Sequence, residues 1–220
     1  MTASHLHLVL QILIWLVPCL PAIIVHEYAH GWVASRLGDP TARVMGRLSL
    51  NPLRHIDPVG TVIVPGLMLL AQLPFVFGWA KPVPVDFRLL RRGRLGVLLV
   101  ALAGPVANLL MLLLWLALAW FAAAGDFVHM PANPVRAIVA QLALAGVAIN
   151  LVLMLLNLMP IPPLDGGRVL GALLPPSLSR VYMKLERVGI LIILLLVATG
   201  LFARIFGPAL DFFFSRLGIS

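Results

Sequence analysis

Two histidines and a glutamate lie close together near the start of the chain, in the segment VHEYAHGW. His26 and His30 are four residues apart, so on a helix their side chains share one face and can reach the same metal ion. Glu27 is rotated away from that axis, where a carboxylate can hold water and act as a general base. The flanking residues are apolar enough for a membrane span, in which ionisable side chains are costly and usually functional. The alternative interpretation is a buried polar network in which the three satisfy one another.

Two histidines do not complete a catalytic zinc site, because three protein ligands are usual. Few acids lie elsewhere in the chain, and Asp165 stands out because it directly follows a long apolar segment, in NLMPIPPLDGGRVL. Gly166 and Gly167 would permit a tight turn there. The residues alone leave two interpretations open for Asp165: a third metal ligand, or the cap of a helix that begins near Arg168.

The composition indicates what kind of protein carries these residues. Of 220 residues, 61% are hydrophobic and only 11% are charged. A soluble domain is about a quarter charged, and a disordered chain is polar, so both classes are excluded. The net charge of +8 comes from basic residues in short stretches between apolar runs. Cytoplasmic loops of a membrane protein explain that pattern better than a nucleic-acid partner does.

The apolar segments predict an all-α polytopic membrane protein with about four full transmembrane helices. These spans lie at about 6–37, 95–124, 135–159 and 188–206. We expect a re-entrant hydrophobic segment at 59–79 and a short β element within 43–50, after the HExxH helix. The chain forms a single membrane-embedded domain, 1–220, with a catalytic core at about 6–175 and a C-terminal span and interfacial tail at 185–220.

Membrane topology gives a check on the third ligand. Asp165 and the histidines can share a metal only if an even number of crossings separates them. The segments at 95–124 and 135–159 supply two, so 59–79 must enter and leave by the same face. The basic stretches 36–54 and 81–94 then both lie in the cytoplasm. We therefore expect the N-terminus outside and the active site near the cytoplasmic face.

Three motifs in this order resemble the site-2 protease family of intramembrane zinc metalloproteases. They are HExxH, GPxxN (Gly104, Pro105, Asn108) and N-x-x-P…L-D-G-G, which begins at Asn157. GRLSLNPLRHIDPVG and FGWAKPVPV resemble the compact subgroup that has no PDZ or CBS domain. The resemblance covers roughly residues 20–175.

The resemblance implies one Zn2+ per chain, with His26, His30 and Asp165 as its ligands. It also implies that Glu27 is the general base and acid, and that Asn157 helps to stabilise the oxyanion. The implied substrates are single-span membrane proteins, such as a membrane-tethered transcriptional regulator, cut in or near the transmembrane segment. The implied location is the cytoplasmic membrane of a prokaryote.

Other interpretations accompany these roles. Asn157 could instead make an interhelical hydrogen bond, which is the role that we assign to Asn108, with Gly104 allowing close helix contact. His55 fits the structure of the NPLRHIDP loop better than it fits a fourth ligand. Residues 43–50 or the GWAKPVPV stretch could offer an extended edge to an unwound substrate. The rival function is a non-enzymatic zinc-binding scaffold or transporter, but neither needs a glutamate that activates water.

Overall fold

The computed structural model describes residues 3–70, 80–123 and 131–216 of the chain, and helices dominate all three parts. The polytopic helical fold expected from the composition is confirmed. The α-helices are α1 (Ala3–Arg36), α2 (Thr41–Val44), α3 (Val64–Leu70), α4 (Gly93–Ala123), α5 (Pro134–Asn157), α6 (Asp165–Leu173), α7 (Pro176–Tyr182), α8 (Glu186–Ala198) and α9 (Leu201–Arg216).

Helices α1, α4 and α5 pack on one another and form the core. By length and composition, each is apolar enough to cross a membrane. Small residues such as Ala22, Ala143 and Gly146 are buried where these helices meet, which lets their backbones approach closely. The outer faces expose large apolar side chains, including Leu114 at 68% and Phe121 at 75%. Lipid is the solvent that suits such a surface.

The fourth predicted span differs from a single straight helix. Helix α8 ends at Ala198 and α9 begins at Leu201, and the two axes differ by 73°. Gly200 lies in the break with φ +69°, a conformation that glycine adopts without steric cost. The described residues therefore contain three spans, or four if this bent pair crosses as one.

The segment predicted to form a short β element is helical at its start, and the described residues contain no strand. Asp39 accepts hydrogen bonds from the Thr41 backbone N–H and hydroxyl, which begins the helical turn α2. The backbone N–H groups of Arg47 and Leu48 then both donate to the Ala42 carbonyl. A strand pair fails to form because these local bonds occupy the groups that a ladder would need.

The expected re-entrant segment is only partly described. Pro58–Ile63 form a π-helix that continues into α3, and the Asp57 side chain caps its start. Residues 71–79 lie outside the described part of the chain, so the hairpin stays a prediction.

An extended segment crosses the core before α4. We call residues 80–86 the strap. One end is tied to the preceding loop, because Lys81 N–H donates to the His55 carbonyl at 2.9 Å. At the other end Asp86 N–H donates to the Asp39 carboxylate at 2.8 Å. The strap therefore lies in a defined position against α1.

Candidate metal centre

Three potential ligand atoms converge between α1 and the start of α6. The Nε2 atoms of His26 and His30 are 3.1 Å apart. The Asp165 Oδ2 atom lies 3.2 Å from each of them. The i, i+4 spacing on α1 brings the two rings together, and the chain reversal after α5 brings the carboxylate to them. The structure thus groups the three residues proposed from the sequence as metal ligands.

The hydrogen-bond partner of His26 Nδ1, the ring nitrogen that faces away from the cluster, shows whether this nitrogen carries a proton. The side-chain nitrogen of Asn108 donates to the Ala22 carbonyl at 3.2 Å and to Asn150 Oδ1 at 3.0 Å. A carbonyl can only accept, so the other Asn108 atom, 2.6 Å from His26 Nδ1, must be its oxygen. His26 therefore carries a proton on Nδ1, and in its neutral form it presents a lone pair at Nε2.

His30 is oriented in the same way by a backbone group. Its Nδ1 lies 2.7 Å from the Val100 carbonyl, which can only accept a proton. In its neutral form, His30 therefore also presents a lone pair at Nε2 to the cluster. Outer hydrogen bonds of this kind are usual for histidines that bind a metal, because they set ring orientation and raise ligand basicity.

The ionisation of Asp165 suits the same interpretation. Without a metal, protons on the two histidines would stabilise this carboxylate: burial raises the pKa of the Asp165 carboxyl, but hydrogen bonding and charge from protonated His26 and His30 outweigh burial and lower the pKa to about 2. The group is thus an anion at neutral pH. Its Oδ2 atom is buried and accepts no conventional hydrogen bond in the part of the chain that the structure describes. Either a shared proton or a metal ion could satisfy this cluster, and only a metal uses all three atoms at once.

The size of the cluster also fits zinc. Tetrahedral ligands about 2.0 Å from zinc lie about 3.3 Å from one another, close to the three separations seen here. Gly104 of α4 leaves the space that the rings occupy, since a Cβ there would lie 2.6 Å from His26 Nε2. The donor set of two imidazoles and a carboxylate is one that zinc accepts at catalytic sites.

The alternative role for Asp165, as a helix cap, is wrong. Helix α6 begins at Asp165 itself, and the residue in the cap position is Leu164, which makes no side-chain cap. The glycines that follow also differ from expectation, because they are helical rather than part of a tight turn. A Cβ on Gly166 or Gly167 would overlap the backbone of 158–162. They allow α6 to start close to that chain, which carries Asp165 to the histidines.

Glu27 opens on the same cavity as the three ligand atoms. The cavity holds about 660 Å3, and apolar side chains from α1, the strap, α5 and α8 form most of its wall. Glu27 Oε2 accepts a hydrogen bond from the Val83 backbone N–H at 2.8 Å. Asn157 also lines the cavity, and its side-chain N donates to the Leu153 carbonyl at 2.9 Å. One proton of that amide remains, so the predicted oxyanion role stays a prediction.

His55 lies apart from the cluster. It is buried at 3% exposure, and its Nε2 lies 2.8 Å from the Ser49 carbonyl, which orders the loop as the structural interpretation predicts. Asn108 does make the predicted interhelical bond, but its link to His26 and to the fully buried Asn150 was missed. The GPxxN spacing was a signal for Asn108, whereas no motif marked Asn150.

Comparison with known proteins identifies the family to which the chain belongs. The profile of peptidase family M50 matches residues 123–197, which include Asn157 and Asp165. The Bacillus subtilis protein YwhC, whose name is that of a zinc metalloprotease, is 37% identical over 193 residues, or 85% of this chain and 81% of that protein. The chain belongs to peptidase family M50. The predicted membership of the site-2 protease family is thereby confirmed.

A second M50 relative covers even more of the chain. Rip2 of Mycolicibacterium smegmatis, which is also named as a zinc metalloprotease, is 30% identical over 206 residues, covering 91% of this chain and 73% of that protein. No solved structure matches the chain. Together with the apolar helices, these likenesses identify this M50 peptidase as a site-2-type zinc metalloprotease and an integral membrane protein.

Proposed function

We propose that this M50 peptidase is an intramembrane endopeptidase with one zinc ion per chain, held by His26, His30 and Asp165. One observation carries the proposal: three potential ligand atoms, 3.1 to 3.2 Å apart, lie at the cavity that also contains Glu27. Zinc in such a site acts as a Lewis acid that polarises a carbonyl and makes water more acidic.

The side chains around the cavity then have separate tasks. Glu27 takes a proton from the attacking water and returns it to the leaving amine, which is general acid–base catalysis. Asn157 donates its remaining amide proton to the oxygen on which negative charge develops. The apolar wall keeps bulk water away and accommodates the side chains on either side of the cleaved bond.

The cavity suits a substrate that arrives through the membrane. Ile23, Leu153, Ile190 and Ile193 come from three different helices and give the wall a largely apolar surface beside the polar cluster. A transmembrane segment carries side chains of this character, and it must unwind locally because a helix hides its carbonyls in hydrogen bonds. We infer that the substrates are single-span membrane proteins, including membrane-tethered transcriptional regulators, which the enzyme cuts in or near the span.

The basic loops support an active site near the cytoplasmic face of a prokaryotic cytoplasmic membrane. Arg36, Arg43, Arg47 and Arg54 all follow the HExxH motif. We expect Val85→Cys, in a background with Cys19→Ser, to react with an impermeant thiol reagent only from the cytoplasmic side. Labelling only from outside would overturn this orientation.

The rival function is a zinc-binding scaffold or transporter. Glu27 argues against it, because neither needs a carboxylate beside the ligands that is hydrogen-bonded into position. A transporter would also need polar residues along a path through the bilayer, whereas such residues are scarce in the apolar segments outside the motifs.

Metal content tests the proposal without knowledge of a substrate. We expect about one zinc per purified wild-type chain, and binding at least tenfold weaker in Asp165→Ala. Glu27→Gln, the matched control, should retain zinc and lose cleavage of co-expressed single-span proteins. A folded wild type without zinc after reconstitution would contradict the proposal, as would full zinc affinity in Asp165→Ala.

A further inference from the structure

The middle of the strap meets α1 at the glutamate of the HExxH motif. Val83 donates its backbone N–H to Glu27 Oε2 across 56 positions of sequence. The Val83 side chain is buried at 7% exposure and packs at Gly31, one turn beyond Glu27. A Cβ on Gly31 would lie 2.7 Å from Val83 Cγ1. The absence of a side chain at Gly31 therefore determines how closely the strap approaches the glutamate.

Both ends of the strap are fixed independently of this contact. Arg47 donates to the carbonyls of Lys81 and Pro82, at 2.9 and 3.2 Å. Asp39, which is fully buried, holds the other end through the Asp86 N–H. Pro82 and Pro84 restrict φ on either side of Val83. The Val83 N–H is therefore a donor whose place is set before Glu27 engages it.

Resting on the function proposed above, we propose that the strap is a positioning element for the general base. The Val83 N–H holds Glu27 Oε2, so the carboxylate keeps one orientation in the cavity. Oε1 makes no hydrogen bond to any described residue and stays available for the proton of the attacking water. A fixed carboxylate needs no reorganisation at the moment of reaction, and small misplacements of catalytic groups are expensive.

The same hydrogen bonds argue against the strap as a docking edge for an unwound substrate. Between Lys81 and Asp86 the backbone has four N–H groups, because Pro82 and Pro84 have none. Three of the four, those of Lys81, Val83 and Asp86, already donate within the protein. Within the strap only the N–H groups of Ala80 and Val85 have no partner in the described parts. Their odd spacing makes them face opposite edges of an extended chain, and a regular ladder needs more than one donor on one edge.

Proline substitutions separate the two roles. Val83→Pro removes the N–H that holds Glu27, whereas Val85→Pro removes a free one. For a single-span reporter that wild type cleaves in proteoliposomes, we expect kcat of Val83→Pro to be at least tenfold below that of Val85→Pro. KM should stay within about twofold and zinc content should match wild type. Val83→Ala keeps the N–H, so it should retain most of the kcat that Val83→Pro loses. Equal kcat values in the two proline variants would overturn the proposal.

Hydrogen exchange tests the contact without any activity. In Glu27→Ala we expect a peptide covering residues 80–86 to gain one rapidly exchanging amide, that of Val83, relative to wild type. The Lys81 and Asp86 amides should stay protected, because their acceptors are unchanged. Unaltered exchange would contradict the contact even if Val83→Pro fails to fold. If wild type cleaves nothing, the proposed function fails, while this measurement still decides whether Val83 holds Glu27.

Discussion

The proposed histidine ligands and the proposed general base are adjacent on α1, yet different kinds of structure hold them. His26 is held by the buried side chains of Asn108 and Asn150, which extend from α4 into α5. Glu27 is held by a backbone N–H of the strap, outside any regular element. The ligand side of the site thus depends on helix packing, and the catalytic base depends on a loop. Mutations on the two sides should therefore have separate effects. Those on the ligand side should lower zinc affinity, and those on the base side should lower the rate of cleavage.

The largest effect on zinc affinity is expected at Gly104, where α4 packs against the imidazole rings of His26 and His30. Gly104→Val places a side chain where the imidazoles of His26 and His30 lie, so the rings must move and the ligand triangle must open. We expect zinc affinity to fall by about 100-fold or more. Titration with zinc in detergent, against a chelating indicator, measures it.

Gly207→Ala is the matched control, because a Cβ there meets nothing within 4 Å. It should bind zinc as wild type does. Wild-type zinc affinity in a folded Gly104→Val protein would mean that the rings do not need this space, and that the ligand side is less rigid than the packing indicates.

A smaller effect is expected one contact further out, at Asn108. Asn108→Ala removes the acceptor for His26 Nδ1–H and leaves the buried Asn150 Oδ1 without its Asn108 donor. We expect zinc affinity to fall by about 10- to 100-fold. The free energy of unfolding should fall by about 1–3 kcal/mol, because a buried polar group loses its partner.

Asn150→Ala provides the comparison for that experiment. It removes a group that contacts Asn108 but not the histidine, so stability should fall while zinc affinity changes less than in Asn108→Ala. Equal losses of zinc affinity in the two variants would show that packing between α4 and α5, rather than the tautomer of His26, sets the affinity.

The two regions also differ in how far the sequence predicts them. The spacing of His26 and His30, with Asp165 after an apolar segment, predicted the ligand triangle, because the helix repeat and the crossing count constrain where those side chains can go. The sequence suggested the strap only as a possible edge for pairing with an unwound substrate. Residue types do not show to which acceptor a backbone N–H will donate. The strand predicted within 43–50 was wrong, because the Asp39 side chain, not local propensity, begins the helical turn α2 that runs into this segment.

The smallest effect is expected at the end of the strap, where Arg47 acts on Glu27 only through Lys81 and Pro82. Arg47→Ala removes two hydrogen bonds to the strap but leaves the Val83 N–H and the three ligands in place. We expect kcat to fall by about two- to tenfold at unchanged zinc content, since a loosened strap holds Glu27 for a smaller fraction of the time. Single-turnover cleavage of the single-span reporter measures this without product release. Arg43→Ala is the control, because the side chain of Arg43 donates to Ser35 on α1 rather than to a carbonyl of the strap. If Arg47→Ala lowered zinc affinity as well as rate, the strap and the ligand cluster would be one cooperative unit, and the separation of base from metal would be wrong.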